Sequence, residues 1–277
     1  MPLQTPGNVA LCNPMAPRST QALGKAARHA AILEALSTDP TVRISALAEV
    51  FGVSTETVRR DIEDLSARGM VRRTYGGASV SHPASQPRLS ERERVLVAER
   101  RRIGQSAASL VEEGAVVMLD AGSTTTHFAR ALAARGVRAT LLTNSLDAAL
   151  AAGASDALRV LVAPGELSAV ERGLYGPETA AFLRRFHVDM AVIGASGLTE
   201  EGPCEAESRA AWVKRAMLER APRRLLLVDS SKFGRAFLEQ VCPAEQITDL
   251  VTEASPPPKL AAALSRHGLQ LTIATEL

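Results

Sequence analysis

The chain is poor in cysteine and in aromatic residues, carries no strong excess of either charge and has no long apolar run. Its three cysteines, Cys12, Cys204 and Cys242, are odd in number, widely separated and without a C-x-x-C pair. That argues against a disulfide framework and against a zinc site, and it suits a reducing compartment. Apolar runs such as Leu225 to Val228 fall far short of the roughly 20 residues that cross a bilayer. The first twenty residues lack a basic start followed by a sustained apolar stretch, so neither secretion nor a membrane partner is expected, and the cytoplasm is the expected location. Neither the G-x-x-x-x-G-K-S/T nucleotide loop nor the G-x-G-x-x-G dinucleotide turn occurs, and no cofactor or metal is expected. What remains is a globular composition, 277 residues with 46% apolar and 22% charged, with room for one large domain or two smaller ones.

A net charge of +2 hides an asymmetry: residues 1–90 hold ten Lys/Arg against seven Asp/Glu, whereas residues 91–277 hold twenty-two against twenty-three. Residues 1–25 mix Pro, Gly, Asn and Ser without an apolar period and read as a disordered tail. From Ala26 a helical face runs through Ile32 and Leu36 to a stop at Asp39-Pro40. A second short helix is expected from Ser45, read as its N-cap, to Phe51, with Gly52 ending it. Ser54 then caps a third helix whose Val58, Ile62 and Leu65 share one apolar face. Met70 to Tyr75 reads as a strand and Gly76-Gly77 as a turn. Over residues 26–80 three short helices and a strand pair make a winged helix-turn-helix pattern, with the tight step Phe51-Gly52-Val53-Ser54 letting two helices cross steeply.

In that pattern the third helix enters the major groove of double-stranded DNA by its N-terminal turns. The residues expected to touch DNA are Ser54, Thr55, Thr57, Arg59 and Arg60 on that helix, and Arg72, Arg73 and Tyr75 on the basic strand. Arginine pairs bidentately with guanine, while Thr and Ser reach phosphates or methyl groups. A single Arg pair is more often a solvated helix face; here the spacing, the turn and the basic strand coincide.

Residues 81–90, with two prolines and little apolar content, read as a linker, and Arg92 to Leu110 as a charged helix opening a second domain over residues 91–277. There, apolar runs of strand length alternate with amphipathic helices: 115–119, 139–142, 158–162, 188–193, 225–228, 247–251 and 269–273. That alternation predicts an α/β class with a mostly parallel sheet covered on both faces. Four segments that follow strands are rich in small polar residues. They are Asp120-Ala121-Gly122-Ser123-Thr124-Thr125 before a helix expected from His127, then Thr143-Asn144-Ser145, Gly194-Ala195-Ser196-Gly197 and Asp229-Ser230-Ser231-Lys232. Any one of these is explained by helix capping and turn chemistry. Four at the same end of a parallel sheet suggest a cradle for a small anion, where helix N-termini offer free N–H groups. The candidate effector residues are therefore Asp120, Gly122, Ser123, Thr124, Thr125, Asn144, Ser145, Gly194, Ser196 and Lys232.

The run Val53-Ser54-x-x-Thr57-x-Arg59-Arg60-Asp61-Ile62-x-x-Leu65, continuing to Arg72-Arg73-Thr74-Tyr75-Gly76-Gly77-Ala78, resembles the DNA-binding signature of DeoR-type bacterial transcription regulators. The second domain is similar to that family's sensor in Leu119-Asp120-Ala121-Gly122-Ser123-Thr124-Thr125, Thr143-Asn144-Ser145, Gly194-Ala195-Ser196-Gly197, Val213-Lys214-Arg215-Ala216-Met217 and Val228-Asp229-Ser230-Ser231-Lys232. The resemblance covers about residues 28–255. It implies a regulator, usually a repressor of sugar or related catabolic genes, acting as a homodimer or homotetramer on operator DNA and answering to a phosphorylated sugar or polyol. It also implies a sensor fold like that of the pentose-phosphate isomerases. Two stretches depart from the family pattern: Ala163-Pro164-Gly165, where paired glycines are common, and Glu205-Ala206-Glu207-Ser208-Arg209-Ala210-Ala211, near the expected ligand mouth.

The rival reading is a sugar-phosphate isomerase, which needs a carboxylate base beside the sugar. After Gly194-Ala195-Ser196-Gly197-Leu198-Thr199 no acid follows until Glu200, so the base is absent from its expected place and no catalytic residue is assigned. His127 and His187 have no Ser or Cys partner at triad spacing and read as structural.

Overall fold

Three amphipathic stretches near the N-terminus can bury their apolar faces only against one another, and they do so in a computed structural model that describes residues 23–38, 41–67, 71–74, 76–80, 86 and 88–275. Helix α1 (Lys25–Thr38) leads to strand β1 (Thr41–Arg43), helices α2 (Ile44–Phe51) and α3 (Thr55–Ala67), and strands β2 (Val71–Thr74) and β3 (Gly77–Val80). Ile32, Leu36, Leu47, Phe51, Val58, Ile62, Leu65 and Val71 form one closed core. Burying each of these large side chains stabilises by about 1.5–3 kcal/mol. Gly52 ends α2 in the left-handed region, at φ 63° and ψ 33°, which an L side chain tolerates poorly, so glycine there shapes the turn into α3.

Three expectations for this region change. The wing is a three-stranded sheet in the order β1-β3-β2, not a pair, because Thr41 to Arg43 add a short strand after the proline. Gly77 opens β3 rather than closing a turn, and a Cβ there would run into the backbone carbonyl of Val42 on β1. Ser45 lies inside α2: the chain leaves β1 with Arg43 already extended as the N-cap, and the Ile44 N–H is satisfied by Gly76 O at 2.9 Å. The tail through residue 22, the helix close at Arg68-Gly69, Met70 and Tyr75 lie outside the described residues.

The second body begins with α4 (Leu89–Arg92), α5 (Val97–Ala108), β4 (Val116–Leu119), α6 (Ser123–Arg135), β5 (Ala139–Thr143), α7 (Leu146–Ala152) and β6 (Leu158–Val162). A hairpin of β7 (Glu166–Ser168) and β8 (Gly173–Tyr175), α8 (Pro177–Leu183), β9 (Met190–Ile193), and the pair β10 (Gly197–Thr199) and β11 (Gly202–Glu205) follow. Then come α9 (Ser208–Leu218), β12 (Arg223–Leu227), β13 (Glu239–Gln240), β14 (Asp249–Thr252), α10 (Pro258–Arg266) and β15 (Gln270–Ile273). The expected parallel sheet is there, seven strands in the order β15-β14-β12-β9-β4-β5-β6, all neighbours parallel. Its two faces carry two separate apolar clusters, one around Met118, Leu142, Ile193 and Leu226, the other around Val117, Leu141, Val192 and Leu225. Alternate residues of the same strands serve opposite clusters, which is why the runs are apolar throughout.

Helix α6 is set by a close crossing: a Cβ on Gly104 of α5 would sit 2.6 Å from the His127 backbone, so only glycine lets the two helices approach this far. The single helix expected over Arg92–Leu110 is broken. Leu96 takes a left-handed φ of 55°, the four-residue α4 stands apart from α5, and Arg100 donates to the Arg92 carbonyl, which also accepts the Val95 N–H at 3.3 Å. No helix among the described residues is long and apolar enough to cross a membrane.

Candidate functional site

On α3 the inward residues are Val58, Ile62 and Leu65, which leaves Ser54, Thr55, Arg59 and Arg60 exposed and Thr57 half-buried. Ser54 caps the helix as expected, its Oγ accepting the Thr57 N–H at 3.1 Å. Both arginines lean on one carboxylate: Arg59 Nη1 lies 3.3 Å and Arg60 Nε 3.5 Å from Glu56. Exposed pairs of this kind are worth about 0–1 kcal/mol, so they are readily exchanged for phosphate or base contacts. The helix is anchored from behind by Asp61, almost fully buried, which accepts from Arg28 Nε at 2.6 Å and lies 3.2 Å from His29 Nε2, tying α3 to α1. Burial alone would raise the Asp61 pKa, but Arg28 and His29 hold it below the usual carboxylate range. Arg72 and Arg73 lie on β2, in register with Ser79 and Ala78 of β3. Their side chains, like Tyr75, fall outside what is described.

In the second body the C-terminal ends of β4, β9 and β12 open into a cavity of about 360 Å³. Its floor is the start of α6, which begins at Ser123, four residues earlier than the sequence suggested, so Ser123 to Thr126 form the first helical turn rather than a loop. Gly122 is the N-cap and supplies no side-chain cap; Thr126 N–H is bonded to Gly122 O at 3.0 Å. The N–H groups before it have no intrahelical partner and carry the positive end of the helix dipole. The Thr125 and Thr126 hydroxyls donate back to Gly122 O, at 3.0 and 2.7 Å, which fixes this turn.

Of the ten expected effector residues, Gly122, Ser123, Thr124, Thr125, Gly194 and Lys232 line the cavity, while Asp120, Asn144, Ser145 and Ser196 do not. Ser145 caps α7 by accepting the Ala148 N–H at 3.1 Å, and Asn144 donates to Leu174 O at 3.0 Å, so that loop is spent on local structure. Asp120 lies under the floor, accepting the Gly194 N–H at 3.3 Å and paired with Lys214. Ser196, fully buried, sits 2.6 Å from Glu205 Oε2 and 2.7 Å from Gln86 Oε1.

Several lining residues are absent from the expected effector set: Gln86, Arg92, Tyr175, Glu205, Arg209 and Lys214. Lys214 left a signal, because it occupies an inward position of α9 beside Ala210, Val213 and Met217, where a lysine has to find a buried partner. It finds two, Asp120 and, at 3.3 Å, Glu205. Burial pulls its pKa down, but these two carboxylates outweigh burial and raise it above the ordinary value. The other charged residues come from the α4 segment and from the stretch that departs from the family pattern, and only folding brings them to the cavity.

Lys232 differs from every other cation of the cavity. It is 7% exposed, yet among the described residues its ammonium has neither a hydrogen bond nor an ion pair. Arg92 is paired with Glu171, and Arg209 with Glu207 and Glu166. The neighbouring Asp229 is taken by Arg100, at 3.0 Å, and by Ser231. Burial pulls the Lys232 pKa from 10.5 down to about 8; Asp229 works against this, and Arg92, Arg100 and Arg235 with it. His127 is pulled to about 4, chiefly by burial and then by Arg130 and Arg100, and neither it nor His187 lines the cavity.

Comparison with known proteins agrees with both halves. A family model described as the DeoR-like helix-turn-helix domain matches residues 28–84, and one described as the DeoR C terminal sensor domain matches residues 96–254. The glycerol-3-phosphate regulon repressor of Escherichia coli K12 is 29% identical over 247 residues, covering 89% of this chain and 98% of that protein. The HTH-type transcriptional repressor GlcR of Bacillus subtilis is 32% identical over 89% of this chain and 95% of its own, and the L-fucose operon activator of Haemophilus influenzae 30% identical over 89% and 99%. Among solved structures, ribose 5-phosphate isomerase A of Methanocaldococcus jannaschii aligns with half of the chain and 55% of its own at 20% identity and TM-score 0.38. With its helix-turn-helix domain first and its sensor domain second, the chain belongs to the DeoR family of transcriptional regulators.

Proposed function

We propose that the protein is a cytoplasmic repressor of genes for sugar or polyol use that binds operator DNA through α3 and the wing, and that a singly phosphorylated, hydroxyl-rich metabolite controls it from the cavity at the strand ends. The observation that carries the ligand class is Lys232, a buried ammonium with no ion pair or hydrogen bond among the described residues, in the same cavity as the open N-terminus of α6. Together they supply a charge-assisted donor and a set of backbone N–H groups, the chemistry that holds a phosphate. The remaining cations, Arg92, Arg209 and Lys214, are already neutralised by Glu171, Glu207 and Glu205, and these carboxylates are acceptors for sugar hydroxyls. One unneutralised cation favours one anionic group, so bisphosphates are disfavoured.

Repression rather than activation is favoured by the names of the first two relatives, and the activator among the three leaves the sign to experiment. A homodimer or homotetramer is expected because one winged helix makes too few contacts to select a site. Trp212, 54% exposed on α9, is available for contact between subunits.

Glu205 favours the isomerase reading in one respect, since it puts a carboxylate in the cavity although none follows Gly194-Ala195-Ser196-Gly197, where the base was expected. Both its oxygens are engaged, Oε1 by Lys214 and Oε2 by Ser196, which suits a fixed acceptor better than a base that must take a proton from carbon. Incubation with ribose 5-phosphate is expected to give no ketose. A thermal-shift screen of phosphorylated sugars and polyols is expected to find ligands whose unphosphorylated parents give no shift. A screen in which parent sugars shift the melting temperature equally would remove the phosphate site.

A further inference from the structure

The cavity is walled in part by Gln86, which lies a few residues before α4, on the side of the chain that leads to the DNA-binding domain. Gln86 lines it, with Oε1 2.7 Å from the hydroxyl of the fully buried Ser196. That hydroxyl has one proton, and Glu205 Oε2, 2.6 Å away, takes it as the charged acceptor. The Gln86 amide, whose two ends exchange by a half-turn about its last bond, then holds Ser196 by donating its N–H. From Glu205 the contacts continue inward to Lys214, at 3.3 Å, and on to Asp120 at the end of β4. A connected row of polar groups thus runs from the floor of the cavity to residue 86. Nearby, buried Leu89 donates its N–H to Val170 O at 3.4 Å, a second hold on the same segment.

We propose that Gln86 is a specificity-determining residue of the effector site, one whose place the effector takes. Its amide holds Ser196 before the effector binds, and a hydroxyl of the bound effector replaces it. Residue 86 is then released, and with it the segment leading to the DNA-binding domain. Every other contact in the row involves an ionised group, so the neutral amide-to-hydroxyl bond is the one a neutral hydroxyl displaces most easily. This inference rests on the cavity being the effector site. Ser196 Oγ already accepts the Ala206 N–H at 3.3 Å, which leaves room for one more donor, so removing the Gln86 amide raises affinity for the effector while cutting the effector's influence on DNA affinity.

The test uses the full chain, glycerol 3-phosphate and sorbitol 6-phosphate as probes, and a duplex from the protein's own upstream region. Without probe, Ser196→Ala and Gln86→Ala are expected to speed hydrogen exchange at the Leu89 amide by about tenfold. Gln86→Ala is expected to bind a probe about 3- to 10-fold more tightly than the wild type, with a probe-induced change in DNA affinity below about twofold. Unchanged Leu89 exchange in both variants, or a full wild-type response to probe in Gln86→Ala, overturns the proposal. A wild type that binds neither probe, while its Leu89 exchange still answers to Ser196→Ala, removes the effector site and the partner exchange with it, leaving Gln86 a structural tether.

Discussion

Arg59 and Arg60 stand in water on α3 and share a single exposed carboxylate, whereas Lys214 and Lys232 are buried in the sensor, one ion-paired with two carboxylates and one with no ion pair among the described residues. The first arrangement costs little to build and little to undo, because water already solvates both arginines and Glu56 holds them weakly. DNA binding there is an exchange of one set of exposed contacts for another, and it is expected to weaken steeply with salt. The second arrangement is costly, since a buried ammonium loses its hydration, and the protein compensates fully at Lys214 and only in part, through Asp229, at Lys232. Among these buried cations, completeness of pairing separates the structural lysine from the one proposed to hold a ligand.

The sharpest test of the exposed side is the double substitution Arg59→Ala and Arg60→Ala. It is expected to cost about 1–3 kcal/mol per arginine in operator affinity, read by fluorescence anisotropy, with no change in melting temperature. A large loss of stability would mean that the arginines hold the fold. Next in size is Asp61→Asn, which removes the charge that fastens α3 to α1. A cost of about 1–3 kcal/mol to the N-terminal domain is expected in urea unfolding, because the pair is partly open to solvent at Arg28. The folded pKa of Asp61 lies below its unfolded value, so this stabilisation is present above about pH 4 and is lost as pH falls through the folded value.

On the buried side, Lys232→Met is expected to weaken effector binding by about 1.5–3 kcal/mol in calorimetry and, at the same time, to raise the melting temperature of the ligand-free protein. The pH dependence has the same origin. Between pH 8 and about 10.5 the unfolded chain holds a proton on Lys232 that the folded chain does not, so this residue makes stability rise with pH across that window, and Lys232→Met abolishes that rise. Gly104→Ala is expected to cost about 1–3 kcal/mol in stability, as α5 and α6 are pushed apart and the first turn of α6 shifts. Unaltered effector affinity in that variant would show that the placement of α6 is more tolerant than the close crossing suggests.

Much of the DNA-binding region was legible because its signals are local. Periodicity fixed the inward face of α3, Ser54 announced its cap, and Gly52 marked the turn. What failed there was a three-residue strand after Pro40, too short to leave a pattern, and a serine that looks like a cap but lies inside α2 because β1 delivers Arg43 to that position. In the sensor the apolar runs located all seven strands of the parallel sheet, with ends shifted by one or two residues. The cavity was only half legible. Strand-end glycines and hydroxyls could be read from β4 and β9, but β5 ends in an equally polar loop that is spent on capping α7. The charges that complete the site come from α4, β11 and α9, far apart in sequence, and their pairing exists only in three dimensions.

The central claim is tested most directly by titrating the full-length protein with sorbitol 6-phosphate and with sorbitol at pH 7 and pH 9. Binding of the phosphorylated compound alone is expected, weaker at pH 9 as Lys232 loses its proton, and pH-independent over that range in Lys232→Met. Equal affinity for the two compounds, or the same affinity at both pH values in the wild type, contradicts the account.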